Sequence, residues 1–202
     1  MTPSPTATKK SSAARVASTA AAGAGSDPFS PEFARRWFTG LIEAGFLTQG
    51  TVLVPCGAMA GIAALFSSKG FQVKMTDGEG AGLAEARAAG AKLAAAFDEP
   101  LIRVKPWHLG PVDLIVDTAL LQSLTPEERF VYANRMGRLL APGGLLVGLF
   151  RLESPGGAPP YAMEEDAFRR MLLRYFVPEV LKPAAEQKPG GDTAWMAVLR
   201  HK

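Results

Sequence analysis

Two aspartates and one group of small residues are the positions whose type and spacing could do chemistry in this 202-residue chain. Asp77 closes a segment that reads as a strand, Phe71 to Thr76, and lies 20 positions beyond Gly57. That is about the separation at which an acid on the second strand of a βαβ unit reaches a ribose. A carboxylate suits the task because it accepts hydrogen bonds from two adjacent hydroxyls. Gly78, Gly80 and Gly82 follow directly, so a solvated turn aspartate is the alternative reading. Asp117 ends a second run, Val112-Asp113-Leu114-Ile115-Val116-Asp117, and parallel strands would bring it to the same crevice.

The small residues sit at Pro55-Cys56-Gly57-Ala58-Met59-Ala60-Gly61, after the apolar stretch Thr51-Val52-Leu53-Val54. A buried strand delivering its C-terminal end to a ligand has this form, and glycines there let backbone approach a bound molecule. Neither G-x-G-x-x-G nor the phosphate-loop pattern is present, so a dinucleotide oxidoreductase is disfavoured. Lys105-Pro106-Trp107-His108 is a third feature. Read as the turn after a short strand Leu101 to Val104, it would place Trp107 where a ring can stack on a purine; surface-loop residues are the plainer reading. His108 has no Cys, Asp or Glu at ligand spacing, so no metal site is expected.

These residues need a frame, and the periodicity supplies one. Ser30-Pro31-Glu32-Phe33 combines a cap with a first-position proline, and Phe33, Trp37, Leu41 and Ile42 follow at helical spacing. Another helix should start near Ala60, and an alanine-rich one is predicted over Leu83 to Phe97, with Gly90 bending or breaking it. Thr125-Pro126-Glu127-Glu128 opens a further helix whose periodic face is Phe130, Ala133, Met136, Leu139 and Leu140. Ala141-Pro142-Gly143-Gly144 stops it before a strand from Leu145 to Phe150. A helix from Glu164 to Leu173 precedes two strands, Phe176 to Leu181 and Ala194 to Arg200. No crossover helix is signalled between them, so they should pair antiparallel.

Composition narrows the class. With 48% apolar residues the chain suits one domain, residues 27–202. Residues 1–26 are rich in Ala, Ser, Thr and Pro and are expected to be a disordered tail. The single cysteine, Cys56, has no partner within the chain, which points to a reducing compartment. A cytoplasmic location is expected; the acid-poor tail leaves a mitochondrial or plastid transit peptide as the alternative. The tail holds three of the 22 basic residues and none of the 19 acidic ones, so the body carries 19 of each sign. Such a body lacks the footprint of a nucleic-acid binder, and no apolar run is long enough for a membrane span.

Five strands separated by helices and closed by an antiparallel pair resemble the S-adenosylmethionine-dependent methyltransferases. That resemblance implies an α/β, Rossmann-like class I methyltransferase fold: a mostly parallel seven-stranded sheet with an antiparallel C-terminal strand. Particular stretches narrow it. Val112 to Asp117, with Leu120-Leu121-Gln122-Ser123-Leu124-Thr125-Pro126-Glu127-Glu128-Arg129 and Tyr132-Ala133, is similar to the fourth strand and following helix of the thiopurine, thiol and halide methyltransferases. Leu139-Leu140-Ala141-Pro142-Gly143-Gly144 and Gly157-Ala158-Pro159-Pro160-Tyr161 resemble the next two landmarks of that group.

Carried over by position, the resemblance implies S-adenosyl-L-methionine as cofactor, with Pro55, Cys56 and Gly57 near its methionine part. Asp77, with Gly78 beside it, would hold the ribose hydroxyls, and Asp117 and Thr118 would border the sulfonium and the acceptor pocket. No catalytic residue is assigned, because displacement of an electrophilic methyl by a soft nucleophile rests mainly on alignment and desolvation. The implied activity is methyl transfer to a small thiol, selenium, halide or similar acceptor. The sequence departs from the group where Gly61 replaces an acid after the first strand, and where Lys105-Pro106-Trp107 stands in place of an acid near the adenine. Those departures motivate the alternative: an inactive methyltransferase-like scaffold or subunit with protein partners.

Overall fold

A computed structural model describes residues 27–55, 59–78, 80–152, 163–184 and 193–202. The chain enters through α1 (Pro31–Glu43), where Ser30 Oγ accepts from the Phe33 amide at 3.2 Å and Pro31 occupies a position that needs no donor. It continues as β1 (Thr51–Val54), α2 (Ala60–Ser68), β2 (Gln72–Thr76), α3 (Ala81–Ala88) and β3 (Leu93–Phe97). A short α4 (Pro106–Leu109) leads to β4 (Val112–Asp117), α5 (Leu120–Ser123), α6 (Pro126–Leu139) and β5 (Leu140–Leu152). Then come α7 (Glu165–Leu172), β6 (Phe176–Pro183) and β7 (Thr193–His201).

The seven strands form one sheet in the order β3-β2-β1-β4-β5-β7-β6. All pairings from β3 to β5 are parallel, and β7 alone runs against its neighbours, β5 and β6. Strand alternation feeds two cores. Val52 and Val54 pack with Trp37, Phe38 and Phe66 beneath α1, α2 and α3. Leu53 and Ile115 point to the other face and join Tyr132, Met136, Phe168 and Phe176 beneath α4 to α7. Each of these fully buried large side chains contributes roughly 1.5–3 kcal/mol by leaving water.

Three expectations change. The segment predicted as one helix over Leu83 to Phe97 is a helix ending at Ala88, a turn at Gly90 with φ +89°, and strand β3. Alanines in Leu93–Phe97 favour a helix intrinsically, but pairing of Lys74 with Ala95 and of Thr76 with Phe97 overrides that preference. Leu101 to Val104, expected as the third strand, is a turn. On α6 the buried side chains are Arg129, Tyr132, Ala133, Met136 and Leu139, whereas Phe130 is 74% exposed. The expectation for residues 1–26 lies outside the described residues.

Candidate functional site

The C-terminal ends of β1, β2, β3 and β4 converge, and short hydrogen bonds lock them together. Thr76 Oγ1 donates to the Pro55 carbonyl at 2.9 Å, tying β2 to the end of β1. The Asp77 amide donates to the Phe97 carbonyl at 2.9 Å, tying β2 to β3. Pro55, Asp77 and Asp117 thereby come to one rim. Cys56 and Gly57, two other residues proposed from the sequence, lie outside the described residues, as do the residues of the Gly157 to Tyr161 landmark.

Asp77 is only 6% exposed, and its Oδ2 accepts from the Gly82 amide at 2.8 Å and the Leu83 amide at 3.4 Å. Gly80, with φ +73°, supplies no side chain to cap α3, so Asp77 caps the helix from three residues upstream. A carboxylate there satisfies amides that would otherwise lack partners and favours the positive end of the helix. Gly78, next to Asp77, is exposed and leaves room for Pro100, whose side chain would lie 3.1 Å from an added Cβ.

Asp117 is buried more deeply, 1% exposed, and four donors surround it. Oδ1 accepts from the Ala119 and Leu120 amides at 2.9 and 2.7 Å; Oδ2 accepts from the Leu121 amide at 3.1 Å and the Tyr132 hydroxyl at 2.8 Å. Burial pushes its pKa up from the ordinary carboxylate value, and the Tyr132 and backbone hydrogen bonds oppose that rise. The carboxylate holds the turn that presents Thr118. Gln122 supports the same turn, its Nε2 donating to the Thr118 carbonyl at 2.6 Å.

Thr118 and Ala119 line an open cavity of about 280 Å³, bounded also by Phe29, Arg35, Met59 and Gly61. It sits where the end of β4 meets the first turns of α1 and α2. Gly61 has nothing within 4 Å of an added Cβ, so its side of the cavity is open. The Arg151 guanidinium stacks 4.2 Å from the centre of the Phe29 ring at the rim.

Trp107 does not reach this crevice. It is 71% exposed on α4, under the Lys105 ammonium 5.5 Å from its ring centre. Lys74 Nζ on β2 donates to the Leu109 carbonyl, and Arg135 Nη1 on α6 donates to the Leu101 carbonyl at 2.7 Å. The first bond ties the end of α4 to β2, and the second ties the turn before α4 to α6. Because β3 ends at Phe97, the residue that follows it at the crevice is Asp98, an exposed carboxylate that sequence reasoning passed over. Its Oδ1 would lie 3.0 Å from a Cβ at Gly80, which shows how closely the turns after β2 and β3 approach. The signal for Asp98 was its place after Leu93–Phe97, hidden once that segment was read as helix. Tyr132, the second residue missed, stands in the Tyr132-Ala133 stretch, and no local pattern marks its turn towards Asp117.

Among the described residues no group of three or more His, Cys, Asp or Glu is placed to hold a metal. Among them, too, no helix is long and apolar enough to cross a membrane.

No protein-family model matches the sequence. Individual relatives do. A probable thiol methyltransferase from Arabidopsis thaliana is 30% identical over 139 residues, 66% of this chain and 61% of that protein. A thiopurine S-methyltransferase from Vibrio cholerae is 34% identical over 82 residues, 38% of each chain. The chain thus spans less than two thirds of the length of the curated relatives it matches. Among solved structures, the N-methyltransferase NodS from Bradyrhizobium japonicum WM9, in complex with S-adenosyl-L-homocysteine, superposes with a TM-score of 0.66 over 96% of this chain and 98% of its own, at 16% identity. A Burkholderia thailandensis 1,6-didemethyltoxoflavin-N1-methyltransferase superposes with a TM-score of 0.62 over 84% and 79%, at 19% identity. Strand order, crevice and sequence kinship agree: this is a methyltransferase-like chain with the class I fold, related in sequence to the thiol, thiopurine and thiocyanate methyltransferases.

Proposed function

We propose that this protein binds S-adenosyl-L-methionine across the ends of β1 to β4 and directs methyl transfer to a small, soft nucleophile: a thiol, selenium, halide or similar acceptor. The observation that carries the reading is the end of β3. With Asp98 there and Lys105 to Trp107 held away, carboxylates stand after both β2 and β3, the positions where the group presents acids to ribose and adenine. The donor set fits a nucleoside, since carboxylates accept from hydroxyls and an exocyclic amine. When bound, the cofactor supplies an electrophilic methyl on a sulfonium. What the chain supplies is position and dryness: Met59, Phe29 and Ala119 give the cavity apolar walls, and Thr118, fixed through Asp117 and Gln122, gives it a polar edge. No side chain here needs to remove a proton from an acceptor that arrives as an anion.

Two observations favour the inactive scaffold as a second reading. Asp77 Oδ2 is engaged by α3, and Gly61 leaves the first turn of α2 without an acid. Titration calorimetry and thermal melts with S-adenosyl-L-homocysteine separate the two. Ligand at 100 times its dissociation constant should stabilise the fold by about 2.7 kcal/mol. Neither heat nor a rise in melting temperature at millimolar ligand would leave the scaffold as the reading. An Asp98→Asn variant should bind the ligand more weakly, by about 1.5–3 kcal/mol for a lost charged hydrogen bond, with an unchanged melting temperature in its absence.

A further inference from the structure

On α6 the outward face is apolar at its centre. Phe130 is 74% and Val131 50% exposed, although a helix of this kind ordinarily turns such side chains to the core. Two grooves meet at Phe130. One, of about 370 Å³, runs between α6 and Pro106 of α4, past Val131 to Arg138. The other, of about 390 Å³, lies between α6 and α7, with Met163 and Met171 in its wall and Arg170 at its edge.

We infer that this face is a docking site for an acidic amphipathic helix of a partner protein. Among the described residues, the linings of the two grooves contain four arginines, Arg129, Arg135, Arg138 and Arg170, and no acid. Arg135 is committed to the carbonyls of Leu101 and Val104, whereas exposed Arg138 and Arg170 have no carboxylate partner among the described residues. Arg169, one position away, does have one, Glu165 at 2.6 Å. The nearest exposed acids on these helices, Glu127 and Asp166, stand in their first turns, at one end of the face.

Grooves on both sides of a protruding ring suit a helix that offers apolar side chains at i and i+4, flanked by carboxylates. Methionines in one wall make it adaptable to the shape of the incoming side chain. Charge argues against the other occupants. Residues 1–26 carry Lys9, Lys10 and Arg15 and no acid, the same sign as the face. A second copy in an isologous pair would set this arginine-bearing face against the same face of its partner, positive charge against positive charge.

The test is selection from a displayed library of random 16-residue peptides on the full chain, with the enriched peptides then measured by fluorescence anisotropy. Enriched sequences should combine apolar residues at helical spacing with an excess of Asp and Glu. Phe130→Asp, and separately the pair Arg138→Glu and Arg170→Glu, should weaken their binding about tenfold or more while the melting temperature stays unchanged. The proposal fails if no peptide is enriched, if the enriched peptides lack the acidic bias, or if binding survives both variants. It fails equally if Phe130→Asp instead abolishes binding to vesicles of phosphatidylcholine and phosphatidylserine, or converts a dimer of this chain to monomer.

Discussion

At Asp117 a single buried carboxylate carries the geometry of the turn after β4, at the edge of the crevice. Removing one of its four donors leaves a buried carboxylate less satisfied, so Tyr132→Phe should destabilise the fold by about 1.5–3 kcal/mol in urea denaturation. The same residue sets a pH dependence. Burial raises its pKa above the unfolded value, so in the interval between the two the folded state holds more protons than the unfolded state. Stability contributed by the protonated form is therefore lost as pH rises through that interval, and Asp117→Asn should flatten the loss. Urea midpoints taken from about pH 4 to 8 in both proteins check this. Asp77 is different, since it caps α3 and is also the residue proposed to hold the ribose. Asp77→Ala should lower stability by about 1 kcal/mol through the lost cap, whereas Asp77→Asn should keep most of the cap and report on ligand affinity alone. Both aspartates were legible at strand ends because a buried run broken by an acid is a local pattern. Their hydrogen-bond partners were not, because Tyr132 meets Asp117 across a loop and a helix.

Among the elements, β5 shows how tightly the central strands are fitted. A Cβ at Gly148 would lie 2.2 Å from the Asp117 carbonyl and 2.6 Å from Phe150 Cζ, so Gly148→Ala forces backbone or ring to move. Overpacking of this kind typically costs about 1–3 kcal/mol, and guanidinium denaturation should register at least that. By contrast, Gly61→Ala in α2 meets nothing within 4 Å and should raise stability by about 0.5–1 kcal/mol. Helices with caps, α1 and α6, could be placed from sequence because Ser30 and Thr125 accept from the amides three residues on. The third strand could not, because its alanines carry no period and only its neighbour β2 makes it a strand. That one misplacement hid Asp98. Phe130 was assigned to the core for a related reason: spacing shows that a helix has a face, but the inward turn of Arg129 and Tyr132 depends on what lies beneath them.

For the whole molecule, parallel strands with helices on both faces put every strand end of β1 to β5 at one rim, and seven strands are countable from the sequence, the third of them at the wrong residues. The division of labour between the two faces was less visible. The crevice presents carboxylates and an open cavity, while the α6 face presents arginines around a phenylalanine, and in a body with equal numbers of acids and bases neither is apparent from net charge. Strand β7 adds a constraint on assembly in time. It is translated after β5 and β6 yet lies between them, so a nascent chain leaving the ribosome exposes the open border of β5 until Thr193–His201 has emerged. Sheet closure is a late, long-range event, and during that interval the half-made protein is most exposed to aggregation and most in need of a chaperone.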